Sequence, residues 1–362
     1  MARACRLVLR DGRTLAWREF GALREEGFPV VFLHGNLNSR EFSASWAATD
    51  AHAKAAEAHV LALDRPGYGA SSAHAGRGYR DFAGDVRELV EHLGLRRFAL
   101  VGFSSGGPHA LACAAADHGG RVACLGLVSS DGPYDAMGGA FRRSMFGLED
   151  GEAMTMDTAL TRARANSAAM RASYEGMRDA AKRQIALRDI DTATAQGLEG
   201  AASDTVLEAA PWGFPVGGAG FSVPTHLWHG ATPGCPRRRL LGSHLFFADL
   251  MPRAALAMSG AACPSVPVTP TGWPAKGVIL AYPLAWFAPR ARPPTRVPGT
   301  DDDSVPLAAG RHLADALGLR DGETAHFIRG ENHTLIRRRW QVILETVVRA
   351  ARADAHVADA RL

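Results

Sequence analysis

Leu100-Val101-Gly102-Phe103-Ser104-Ser105-Gly106-Gly107-Pro108-His109 ends an apolar run by setting a serine between two glycines. In a G-x-S-x-G arrangement the chain turns so sharply from strand into helix that the central residue is strained, and only glycine on either side avoids a clash. Ser104 is therefore the candidate nucleophile. The flanks suit such a turn. Arg97-Phe98-Ala99-Leu100-Val101 is a short β-type run, and His109-Ala110-Leu111-Ala112-Cys113-Ala114-Ala115-Ala116 is strongly helix-forming. Pro108 falls in the first helical turn, where a missing N–H is tolerated. Taken alone the pattern also fits a plain turn, so its meaning depends on its company.

Working outward, strand-like runs occupy Cys5 to Leu9, Thr14 to Phe20, Val30 to Leu33, Val60 to Leu63, Phe98 to Val101, Val122 to Val128, Thr225 to Trp228 and Thr324 to Ile328. After the second they alternate with helical stretches, which predicts an α/β fold with a mostly parallel sheet flanked by helices. Ligands of such sheets gather outside the carboxyl ends of the strands. The polar motifs fall at those ends.

Two segments interrupt the rhythm. Between Asp131 and Val223 lies Met- and Ala-rich helical sequence followed by Pro211-Trp212-Gly213-Phe214-Pro215, which reads as a helical cap over 133–222. Its methionines would suit either an acyl pocket or ordinary helix packing. Residues 231–299 hold twelve of the twenty prolines and eight Lys or Arg against the single Asp249. They lack helical or aromatic patterning, so this Pro/Arg-rich segment reads as a disordered insertion or a retained intron, with a basic docking surface as the alternative. Without it, Trp228-His229-Gly230 would run into Thr300-Asp301-Asp302-Asp303, and the core would comprise 1–132 and 223–362.

The 362 residues are 47% apolar and 22% charged, enough for one large core or two modest ones. Cys5, Cys113, Cys124, Cys235 and Cys263 have no C-x-x-C spacing, which suggests neither a disulfide framework nor a zinc site. The N-terminal residues carry no signal-peptide pattern, so the cytoplasm is the expected location. No stretch is long and apolar enough for a membrane span; 277–288 is the nearest and contains Pro283. Outside the insertion, basic residues are balanced by acidic ones, which speaks against nucleic acid as a partner. Arg337-Arg338-Arg339 reads as a solvated face.

Acyl transfer by a serine needs a base, an acid that orients it and two donors for the oxyanion. His333, in Arg329-Gly330-Glu331-Asn332-His333 between the last strand and the final helix, is the expected base. His226 and His229 are three apart on a strand, hence on opposite faces, and read as structural. His109 has no evident partner. For the acid, Asp301, Asp302 and Asp303 compete in one turn. Asp302, three residues before Val305-Pro306, is preferred; Asp131 is the alternative, and all three could instead cap the following helix. Val31-Phe32-Leu33-His34-Gly35-Asn36 lets backbone approach a ligand, so the N–H groups of Asn36 and Ser105 are the expected oxyanion donors.

His34-Gly35-Asn36, Asp64-Arg65-Pro66-Gly67-Tyr68-Gly69, Gly102 to Gly106, Asp302 and His333 come in the order of the α/β-hydrolase superfamily, which the chain resembles over nearly all residues except 231–299. Within it the chain looks like capped, bacterial-type serine hydrolases. The resemblance implies a Ser104, His333 and Asp302 triad, a small-molecule ester or amide as substrate, and no cofactor or metal. It leaves Asp64 to Gly69 as a fold signature. His34-Gly35-Asn36 also resembles haloalkane dehalogenases, whose nucleophile is an aspartate, and Ser104 argues against that chemistry. A non-catalytic small-molecule binder of the same fold is the alternative.

Overall fold

The computed structural model describes residues 3–42, 49–116, 119–217, 221–231, 305–329, 331, 333 and 335–359. Most of the insertion and Asp301, Asp302 and Asp303 lie outside them. Eight strands form one sheet: β1 (Arg3–Val8), β2 (Thr14–Gly21), β3 (Phe28–Leu33), β4 (Ala58–Leu63), β5 (Phe98–Phe103), β6 (Val122–Val128), β7 (Thr225–Ala231) and β8 (Ala325–Arg329). Their spatial order is β1-β2-β4-β3-β5-β6-β7-β8. The β1–β2 and β2–β4 pairings are antiparallel and all others parallel. Each strand expected from the sequence is present, with ends moved by up to three residues. Strand β7 runs to Ala231, one residue into the segment assigned to the insertion, because Ala231 still pairs with Arg329.

The central parallel strands β3, β5 and β6 are apolar along their length because both faces are covered, whereas β7 and β8 toward the edge carry His226, His229 and His326. Along β3, Val31 and Leu33 face a core shared with α2 (Tyr79–His92) and α3 (Gly106–Ala115), where Phe82, Val86, Leu89 and Leu111 pack. Val30 and Phe32 face the opposite core, filled by Ala53 of α1 (Thr49–Ala55) and by Trp340, Ile343, Leu344 and Val347 of α9 (Leu335–Asp359). The period of two therefore builds two cores from one strand.

Between β6 and β7 the chain forms α4 (Gly139–Phe146), α5 (Met156–Glu175), α6 (Ala180–Ala193) and α7 (Glu199–Ala209). These helices share a third cluster in which Met154, Met170 and Met177 are buried with Tyr174, Ile190 and Ala202. The methionines therefore serve helix packing. The same cluster includes Leu37 and Tyr68 from the sheet's loops and Ala309 of α8 (Leu307–Ala316), so the inserted helices rest on the carboxyl edge of the sheet.

Candidate functional site

Strand β3 is flanked by β4 on one side and β5 on the other, so chain direction around the sheet reverses there and opens a crevice at the strand ends. Leu33 pairs with Gly102 in the β3–β5 register, which brings the following residues, Gly35 and Ser104, together. A Cβ on Gly35 would stand 3.1 Å from the Ser104 Cβ.

Ser104 has φ +53°, a left-handed conformation uncommon for a residue with a side chain. Its backbone N–H donates to the Val128 carbonyl at 3.0 Å, and its own carbonyl accepts from Gly107 N at 2.8 Å and Asp131 N at 3.4 Å. The second pair of bonds orients the peptide plane that carries the Ser105 N–H. The flanking glycines are sterically required. At Gly102 a Cβ would lie 2.6 Å from the Gly106 carbonyl oxygen; at Gly106 it would be driven into the Leu33 carbonyl and stand 2.7 Å from that of His34. Gly106→Ala is therefore expected to lower stability by about 2–3 kcal/mol. A wild-type Tm for this variant in a thermal melt would mean that α3 can recoil from β3.

The other oxyanion candidate is built by His34. The ring is fully buried; Nδ1 is 2.8 Å from the Gly35 carbonyl, and Nε2 is 3.2 Å from the Arg65 backbone N–H. A carbonyl only accepts and an N–H only donates, so the ring carries its proton on Nδ1 and is neutral. Burial, then Arg65, holds its pKa well below the usual 6.5. The Gly35 carbonyl and the Asn36 N–H belong to one peptide unit, so His34 sets the direction of that N–H. The Asn36 side chain donates to the Ala201 carbonyl of α7 at 3.2 Å.

His333 lies just before α9. Its ring packs on Phe103, the residue preceding Ser104, with centroids 4.9 Å apart, and the Ser129 hydroxyl donates to its carbonyl at 3.4 Å. The fold thus collects Asn36, Ser104, Ser105 and His333 at one edge of the sheet. Asp302 lies outside the described residues. Among the described residues the N-cap of α8 is Pro306, which has no capping side chain; the capping reading of Asp301 to Asp303 likewise falls on residues outside those described. Asp131 is buried just after β6, and its carboxylate accepts from the Tyr134 hydroxyl at 2.9 Å.

Sequence reasoning missed the buried charges that tie the inserted helices to these loops. Asp189 of α6 accepts from Asn38 Nδ2 at 2.9 Å, from the Ser39 N–H at 3.0 Å and from the Ser39 hydroxyl at 2.7 Å. Burial pushes its carboxyl up to about 7 against those opposing hydrogen bonds. With the folded pKa above the usual 3.8, the native state keeps a proton that the unfolded chain releases. That stability is full below about pH 4 and is lost as pH rises through about 7. Asp189→Asn, which cannot ionise, should flatten the decline in Tm across this window by roughly 5 °C. Parallel curves for variant and wild type would show that the carboxylate stays charged.

Asp204 of α7 is fully buried and ion-paired with Arg65 and Arg77, and it accepts from the Tyr68 hydroxyl at 2.6 Å. Burial would raise its pKa, but Arg65 and then Arg77 hold it down to about 2. His109, expected to lack a partner, has one. Its Nδ1 is 3.0 Å from the Ser105 carbonyl and its Nε2 is 3.7 Å from Asp204. Burial, then Arg65, pushes the ring down to about 3, so it is neutral beside Asp204. Arg337 also departs from its expected solvated face, lying over the Phe42 ring at 5.5 Å.

Among the described residues no three His, Cys, Asp or Glu side chains are placed to hold a metal ion, and no helix is long and apolar enough to cross a membrane.

A family profile described as alpha/beta hydrolase fold matches residues 29–183. The chain is 37% identical over 134 residues to the dihydrolipoyllysine-residue acetyltransferase component of the acetoin cleaving system of Pseudomonas putida, covering 36% of this chain and 34% of that protein. It is 33% identical over 125 residues to a non-heme haloperoxidase of Rhodococcus erythropolis, covering 34% and 43% respectively. The match therefore spans less than half the length of either curated relative. Among solved structures, the enol-lactonase from Burkholderia xenovorans LB400 superposes with a TM-score of 0.56 at 17% identity, covering 96% of this chain and 99% of that one. At that identity the likeness speaks for the fold alone.

Proposed function

Since the chain belongs to the α/β-hydrolase fold superfamily, we propose that it is a serine hydrolase cleaving a small-molecule ester, or an amide, through an acyl-enzyme. The observation that carries this reading is Ser104 at φ +53° beside the Gly35–Asn36 peptide, in the crevice where the strand order reverses. Strain of this kind, at a residue with a Cβ in a ligand crevice, accords with a side chain that takes part in chemistry. Ser104 Oγ attacks the substrate carbonyl while His333 takes its proton, and the Asn36 and Ser105 N–H groups receive the developing oxyanion. The C–O bond of the ester then breaks, and the leaving alcohol takes the proton from His333. Water, deprotonated by His333, attacks the acyl-enzyme and releases the acid and free Ser104. Asp302 orients His333, with Asp131 as the alternative acid. Helices α4 to α7 are the cap over this site, and the enzyme acts on a small molecule in the cytoplasm without a cofactor.

The test is reaction of the full-length chain with a fluorophosphonate, read by intact mass, beside Ser104→Ala and a chain lacking 232–299, which spares Ala231 at the end of β7. A single adduct on the full-length chain and none on Ser104→Ala is expected. An adduct on the shortened chain alone would mean that the insertion disables the site. No adduct on either folded protein, together with saturable ligand binding, would turn the reading to a non-catalytic binder.

A further inference from the structure

Asp204 is one carboxylate set between two guanidinium groups, all three buried, at a point where α7 meets the loops that carry the candidate oxyanion donors. Burial of three charges is costly and is offset only where they pair closely and further hydrogen bonds complete them, as Tyr68 does here. Here they hold Arg65, and Arg65 has a second task in its backbone. Its N–H donates to His34 Nε2 at 3.2 Å, and His34 Nδ1–H donates to the Gly35 carbonyl at 2.8 Å, the far side of the peptide whose N–H belongs to Asn36. The Tyr68 hydroxyl gives its single proton to Asp204 and stands 3.5 Å from the Asn36 side-chain oxygen. One turn before Asp204 on the same helix, the Ala201 carbonyl accepts from Asn36 Nδ2 at 3.2 Å. The Asn38 N–H also donates to the Gly35 carbonyl at 3.3 Å, but the side-chain contacts of Asn36 and the His34–Arg65 link lead back to α7 within a few residues of Asp204.

We propose that Asp204 is a positioning residue for the oxyanion site: through Arg65 and His34 it holds the Gly35–Asn36 peptide so that its N–H points at the reacting carbonyl oxygen. The inference rests on the serine-hydrolase reading. The seating of α7 and the alignment of this donor become one event, so the site is competent only with α7 in place. Rate depends steeply on such alignment, because a preorganised donor acts in the transition state and not in the ground state.

The readout that separates alignment from simple stability is oxyanion-specific. Backbone N–H donors aligned on an oxyanion favour an ester over its thionoester, whose sulfur is larger and accepts hydrogen bonds poorly. Full-length wild type and variants are assayed with p-nitrophenyl acetate and with its thiono analogue. Asp204→Asn leaves two guanidinium groups without their carboxylate and could unfold. Arg65→Gln is the companion variant: it keeps the residue-65 backbone N–H, leaves Arg77 paired with Asp204, and cuts the link. In each folded variant kcat for the ester should fall about 10- to 100-fold with KM within about 3-fold. The ester-to-thionoester rate ratio should shrink by a similar factor, and Arg65→Lys should restore part of it. A wild-type ratio in Arg65→Gln, whatever happens to its Tm, overturns the proposal. A wild type that takes no fluorophosphonate adduct overturns the serine-hydrolase reading, which is a separate result.

Discussion

Ser104→Ala is expected to abolish modification by a fluorophosphonate and to lower ester turnover by about 10⁴-fold or more, while the thermal midpoint stays near that of wild type. Removing the hydroxyl takes away the only atom at this position that can form the acyl bond, and the oxyanion donors then have no covalent intermediate to hold. The fold does not depend on that oxygen, because the bonds that set the turn use the backbone of Ser104: its N–H to Val128, and its carbonyl from Gly107 and Asp131. Alanine keeps the Cβ and so keeps the strain at φ +53°. Glycine does not, and Ser104→Gly should be equally inactive yet more stable by about 1 kcal/mol. An inactive variant that melts higher than its parent marks a position where conformation is held for chemistry. Kinetics on a panel of p-nitrophenyl esters, with thermal melts alongside, checks both halves. Full turnover by Ser104→Ala on every ester that the wild type hydrolyses would sink the reading.

The parts legible in sequence were those that short-range chemistry dictates. A glycine pair around a serine at the end of an apolar run permits few backbones, and Ser104 adopts the left-handed one. The central parallel strands β3, β5 and β6 are legible because each is apolar at successive positions, the signature of a strand covered on both faces. Their ends were less legible, as at Ala231, whose pairing with Arg329 depends on a strand nearly a hundred residues later in the chain. Helix α1 at Thr49–Ala55 is too short to carry a clear period of its own in the sequence.

What sequence could not show was which charges go inside. Asp204 stands in a helix whose composition gives no sign of burial, and Arg65 sits in a loop motif that reads as a turn. They meet only because α7 packs onto the β4–α2 connection, a contact across 139 residues. Asp189 and Ser39 are 150 residues apart and equally silent. His109 shows no partner in the sequence, yet its ring bonds the Ser105 carbonyl and lies 3.7 Å from Asp204 of α7. A helical arginine run reads as solvated by default; Arg337 departs because Phe42 offers a ring face within reach. In each case the missing information was tertiary, and each missed residue joins the inserted helices to the carboxyl edge of the sheet.

Asp302→Asn is expected to reduce ester turnover by about 10⁴-fold, since an amide in place of the acid can hold the base in the wrong tautomer, whereas Asp131→Asn should cost about 10-fold or less in rate. Asp131 already has occupants for its carboxylate. The Tyr134 hydroxyl donates to it at 2.9 Å, and the buried Glu208, held well above the usual carboxylate range by burial and then by Asp131 itself, lies close enough to feel its charge. Its loss should therefore appear mainly in stability. Asp302 has the position in sequence that follows β7 once the Pro/Arg-rich segment is set aside. Steady-state kinetics on both variants, each first shown to be folded, separates the two. The reverse outcome would be informative in its own right. If Asp131→Asn carries the large loss, then base, acid and nucleophile follow β8, β6 and β5, and none of them sits on the connection that holds the Pro/Arg-rich segment. A chain could then accept some seventy residues between β7 and α8 without disturbing its triad, because the segment would enter at a loop that the chemistry does not use.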